Sequence, residues 1–97
     1  MPGRDSRHRM KSISVTNAFK KDAATLAKRG YDRVKLDAIV RLLAAGDPLP
    51  ARCRPHKLQG DWEGVWECHI GSDWLLIYEF TEASLTLLRT GTHADLF

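Results

Sequence analysis

Apolar residues recur along this chain with two different periods, and the periods divide it into two parts. The stretch KSISVT from Lys11 to Thr16 sets Ile13 and Val15 between polar neighbours, a two-residue alternation that predicts a short strand. Thr16 or Asn17 then offers a side-chain oxygen to the free N–H groups of a helix's first turn. Phe19, Ala23, Leu26 and Ala27 follow at helical offsets, while Lys20, Lys21, Lys28 and Arg29 fall largely on the other side. Gly30 ends that helix by accepting a left-handed conformation. Asp32 opens a second helix with an apolar stripe of Leu36, Ile39, Val40 and Leu43. Gly46 closes it, and Pro48 and Pro50 forbid its continuation. Two helices with so tight a link predict an antiparallel hairpin. Neither is stable alone at this length, so a sheet must cover their apolar faces.

The period then changes. Residues 51–64 read as a partly basic loop carrying Arg52, Arg54, His56 and Lys57. Three strands are expected after it: VWECHI over 65–70, WLLIYEF over 74–80 and SLTLLRT over 84–90. Gly71-Ser72-Asp73 and Thr81-Glu82-Ala83 make the turns, and connections this short force antiparallel neighbours. The predicted fold is therefore α+β, an N-terminal strand and two-helix hairpin packed on an antiparallel sheet. Alternation puts Val65, Glu67 and His69 on one face of their strand and Trp66, Cys68 and Ile70 on the other. In the last strand Leu85, Leu87 and Arg89 oppose Thr86, Leu88 and Thr90. Whether His69 and Arg89 share a side depends on register, which spacing alone leaves open.

Composition narrows the class without naming a function. Ninety-seven residues, 43% of them hydrophobic and 28% charged, suit one soluble domain over residues 11–97. The net charge of +3 favours a polyanion or an acidic protein as partner. Residues 1–10 hold Arg4, Arg7, His8 and Arg9 without an apolar pattern and read as a basic, disordered tail; Met10 is as good a starting residue as Met1. No apolar run approaches the roughly 20 residues that span a bilayer, and no secretory signal is visible. Cys53 and Cys68 match no paired motif, which fits reduced thiols in a cytoplasm, with Cys68 as a small apolar strand residue.

Chemistry concentrates in loops and at strand ends. His56, His69 and His93 all lie there, and imidazole exchanges protons near neutral pH. Their spacings of 13 and 24 residues, read from the sequence, match no familiar zinc pattern, so no metal and no cofactor is expected. The chain lacks a nucleophile elbow, a phosphate loop and a reactive-thiol context. What remains is metal-free RNA cleavage, in which the substrate's own 2′-hydroxyl attacks the adjacent phosphate. That reaction needs acid–base groups, a cation for the extra charge and a ring to hold a base. His56, His69, Asp73, Arg89, His93, Trp74 and Phe97 supply this inventory, against a plainer reading as exposed loop histidines, a turn aspartate and a sheet anchor. In the same plainer reading Arg89 pairs with Glu67 across the sheet, Trp62 and Trp66 pack, and Leu96 joins the core.

Three stretches, LPARCRPHKLQGDWEG, ECHIGSDWLLIYEF and LLRTGTHADLF, together resemble the YafQ branch of the RelE/ParE-type bacterial toxins. Order and spacing match through most of residues 10–97, the helices mainly in pattern. The resemblance implies a RelE-like fold and an endoribonuclease that cuts messenger RNA in the A site of the 70S ribosome. It implies products with a 2′,3′-cyclic phosphate, or its opened 3′-phosphate, and a 5′-hydroxyl. A cognate antitoxin would neutralise the protein, and helix lysines and arginines would grip ribosomal RNA. The family's catalytic residues carry over onto His56, His69, Asp73, Arg89 and His93, and its substrate contacts onto Trp74 and Phe97, with Lys57 beside His56 as a further RNA contact. The alternatives are a ParE-like, non-catalytic inhibitor of DNA gyrase, against which the retained histidines argue, and a plain RNA-binding module.

Overall fold

The computed structural model describes residues 10–97, so the expected basic tail lies, apart from Met10, outside the described residues. The chain runs β1 (Ser12–Val15), α1 (Asn17–Lys28), α2 (Arg33–Ala45), β2 (His56–Lys57), β3 (Trp66–Gly71), β4 (Trp74–Phe80), β5 (Ser84–Gly91) and α3 (His93–Leu96). Thr16 caps α1 by accepting the Phe19 N–H at 2.9 Å, and its hydroxyl donates to the Leu88 carbonyl at 2.7 Å. One side chain thus starts the helix and ties it to the sheet. Asp32 caps α2 through the Val34 N–H, and Gly46 ends it in the left-handed region at φ 74°.

The five strands form one sheet in the order β1-β5-β4-β3-β2. The pairings β3–β4 and β4–β5 are antiparallel, as their short turns require. β1 departs from the expected all-antiparallel sheet and pairs parallel with β5, because the chain passes through both helices before returning to that edge. The expected loop over residues 51–64 also holds a strand. His56 and Lys57 pair with Glu67 and Trp66, a ladder too short to show as alternation in sequence.

Both helices cover one face of the sheet. Phe19, Ala23 and Leu26 of α1 and Leu36, Ile39 and Ala44 of α2 join Cys68, Ile70, Leu76, Tyr78, Leu85 and Leu87 in a single buried cluster. Ala27, expected in the α1 stripe, is exposed. The opposite face carries a smaller cluster of Leu75, Ile77 and Leu96, with Leu58, Trp62, Val65 and Leu88 packed around it. Glu67 pairs with Ile77 and His69 with Leu75, so both sit on this thinly covered face. No helix among the described residues is long and apolar enough to cross a membrane.

Candidate active site

The C-terminal tail is built rather than frayed. Thr92 and Asp95 form a reciprocal capping box, and Asp95 also takes both Arg29 guanidinium nitrogens at 2.8 and 3.1 Å. Hydrogen bonding by Arg29 and the Thr92 N–H holds the Asp95 carboxyl well below the usual carboxylate range. Leu96 is buried against the sheet and Phe97 donates its N–H to the His93 carbonyl at 2.8 Å. Gly91 makes the tight entry possible: a Cβ there would meet the Asp95 Cβ at 2.9 Å.

This anchoring carries His93 to the β3–β4 turn. Its ring Nδ1 donates to Asp73 Oδ1 at 2.8 Å, and its backbone N–H donates to the same oxygen at 3.1 Å. The His93 ring, more than its N–H, keeps the Asp73 carboxyl below its ordinary range. With Nδ1 so engaged, Nε2 is the nitrogen left to exchange a proton. The His69 ring stands 6.3 Å from the His93 ring, centroid to centroid. Three of the sequence-predicted residues therefore converge at one end of the open sheet face.

His56 occupies the same face farther along β3. Its Nε2 lies 3.2 Å from Glu67 Oε1 and its Nδ1 donates to the Arg54 carbonyl at 2.9 Å. Glu67, at 6% exposure, was missed as a site residue although alternation already put it on the His69 face. Its partner is His56, not Arg89.

Arg89 is placed differently. β1 ends opposite Leu87, leaving the Thr90 N–H without a strand, and Asp22 of α1 accepts it at 3.1 Å. The same carboxylate takes Arg89 Nε at 2.6 Å and Nη2 at 3.1 Å. A bulge opposite Ile77 and Tyr78 accompanies this turn of the strand. Arg89 thus borders a separate concavity of about 220 Å³ with Asp22, Arg29 and Asp95, and Nη1 is its uncommitted end. Nothing in the polar face of α1 singled out Asp22 in the sequence.

Two expected substrate contacts are not brought to the cluster. Trp74 is 5% exposed and packs in the helix-side core, donating to Thr90 Oγ1 at 2.9 Å and meeting the Tyr31 ring edge-on at 5.1 Å. A ring so enclosed has no free face for a base. Lys57 points to the opposite side from its neighbour His56 and lies over the Trp66 ring at 5.8 Å. Phe97, by contrast, is 62% exposed and leans on Trp62 at 5.9 Å, a propped aromatic surface beside the tail. Burial pushes the Cys68 thiol up to about 12, so it is an inert core group. No group of three or more His, Cys, Asp or Glu among the described residues is arranged to hold a metal ion.

Comparison with known proteins agrees with this architecture. The model of the family described as the bacterial toxin of type II toxin–antitoxin system, YafQ, matches residues 11–97. The Escherichia coli K12 protein named mRNA interferase toxin YafQ is 41% identical over 88 residues, spanning 90% of this chain and 96% of the relative. The toxin in the E. coli DinJ–YafQ toxin–antitoxin complex superposes with a TM-score of 0.84 at 40% identity, covering 91% of this chain and 98% of that one. A metal-bound toxin from Helicobacter pylori superposes at 0.85 with 37% identity, covering 91% and 100%. The chain belongs to the YafQ family of type II toxin–antitoxin toxins.

Proposed function

We propose that this chain is an endoribonuclease toxin that cuts messenger RNA in the ribosomal A site and thereby stops translation. The observation that carries the reading is the Asp73–His93 pair facing His69 across 6.3 Å on an open face. Two imidazoles at this separation supply a proton acceptor and a proton donor to one phosphodiester. The 2′-oxygen attacks phosphorus and loses its proton to one ring. The bond from phosphorus to the 5′-oxygen breaks, and that oxygen takes a proton from the other ring. The products are a 2′,3′-cyclic phosphate and a 5′-hydroxyl. Asp73 fixes the His93 tautomer and orientation, as a carboxylate does for a catalytic imidazole.

His56, oriented by the Arg54 carbonyl and Glu67, helps position the RNA backbone on this face. Arg89 reaches the reaction only through its free Nη1, with Asp22 fixing the rest of the guanidinium. Phe97 is the ring against which a base stacks, while Trp74 holds the end of β4 in place. The E. coli relative's complex with DinJ supports a cognate antitoxin for this chain too; a message on the ribosome as substrate would put its action in the cytoplasm. The proton transfers use side chains alone. The test is to map and label RNA ends on translating ribosomes after adding the pure protein. Cyclic phosphate and 5′-hydroxyl ends are expected; 5′-phosphate ends would overturn the mechanism.

A further inference from the structure

Arg52 and Arg54 stand apart from the arginines whose partners are fixed. Arg29, Arg33 and Arg89 each hold a carboxylate. Arg52 and Arg54 hold none among the described residues, and both are exposed. Together with His69, Ile70, Gly71 and Ser72 they line a concavity of about 340 Å³. A catalytic-site imidazole thus shares a hollow with two uncommitted guanidinium groups and a free hydroxyl. Guanidinium groups match phosphate oxygens with paired donors and keep their charge.

The backbone beneath them is specialised. Arg54 is the one non-glycine residue with positive φ among the described residues, at φ 48° and ψ 56°. That conformation is disfavoured for a residue with a Cβ and persists only where surroundings enforce it. Here the Arg54 carbonyl accepts the His56 Nδ1–H, and its N–H donates to the Ala51 carbonyl. The turn that seats His56 therefore also commits the two arginines to the hollow at His69.

We infer that Arg52, Arg54 and Ser72 form a subsite for a second, non-scissile phosphate of the RNA strand whose neighbouring phosphodiester lies at His69 and His93. The inference rests on the cleavage reading for the identity of the strand. It adds a site that reads no base and fixes the register of the RNA across the two rings. It also moves the principal backbone-gripping charge from Arg89, already half occupied by Asp22, to this pair.

The experiment measures binding to 70S ribosomes programmed with two messages. One carries an A-site codon with 2′-deoxyribose at the cleavage position; the other stops after the P-site codon. The R52Q/R54Q variant should bind the first about tenfold more weakly than the unaltered chain, with the slope of log K against log salt reduced by about 1, and should bind the second like the unaltered chain. An R52K/R54K variant should recover most of the salt slope. Equal weakening on both messages would overturn the proposal by assigning the arginines to ribosomal RNA. Unchanged binding on both, with an unchanged melting temperature, would overturn it outright. Cleavage of the all-ribose message by the unaltered chain is scored separately, so a missing nuclease activity and a missing subsite give different results.

Discussion

The two faces of one sheet show how strand alternation separates stability from chemistry. On the helix side, Cys68, Ile70, Leu76, Tyr78, Leu85 and Leu87 are closed in by α1 and α2. On the other side, Leu75 and Ile77 have only Leu96 and a few loop residues over them. Strand β3 contributes to both, with Cys68 facing the helices and its neighbours Glu67 and His69 facing out. A thick cover excludes water and makes even a thiol inert, whereas a thin one leaves imidazoles open to a polyanion. The same residue types would be liabilities if exchanged between the faces, because a buried unpaired imidazole or carboxylate is costly.

That contrast is broken most severely from the helix side. Leu76→Ala should lower stability by about 2–5 kcal/mol through the lost contacts and the cavity left behind. His69→Ala, one residue type removed from the other face, should change it by no more than about 0.5 kcal/mol. Chemical denaturation of the two variants checks the difference, and similar losses would show that the open face is core after all. A smaller effect is expected where the tail enters. Gly91→Ala forces its Cβ against Asp95 and should cost about 1–3 kcal/mol, loosening α3 and weakening cleavage with it. An unchanged melting curve would show that the tail yields freely.

The smallest effect concerns pH. Asp73 and Asp95 both have carboxyls held below their ordinary range, through His93 and Arg29 respectively. A depressed folded-state value means that the stabilising contribution is complete above the unfolded value, about 3.9. It is lost as pH falls through the lower folded-state values. Protection factors of the tail amides, which correct exchange for its intrinsic pH dependence, should therefore stay constant from neutrality to about pH 4 and fall below it. Asp95→Asn should flatten that fall. Loosening that began well above pH 5 would point to other groups.

Much of this was legible in sequence because it rests on local rules. The caps at Thr16 and Asp32, the stop at Gly46 and the three long strands follow from residue type and period. The convergence of His69, Asp73 and His93 was suggested by family resemblance; spacing could not derive it, since it depends on register and on α3 folding back. The parallel β1 was hidden because its pairing partner lies far along the chain, and the two-residue β2 because it is too short to show a period. Arg89 and Trp74 were named as candidate site residues, but their orientation depends on register that spacing leaves open. A bulge and the end of β1 turn Arg89 toward Asp22, and alternation from Leu75 sends Trp74 into the core.

The central claim is that His93, held by Asp73 and facing His69, moves a proton during RNA cleavage. Single-turnover cleavage of a defined message on programmed ribosomes tests it directly. His93→Ala should slow the reaction by about 10²–10⁴-fold while ribosome binding and melting temperature stay unchanged. Cleavage by that folded variant at the rate of the unaltered chain would contradict the account.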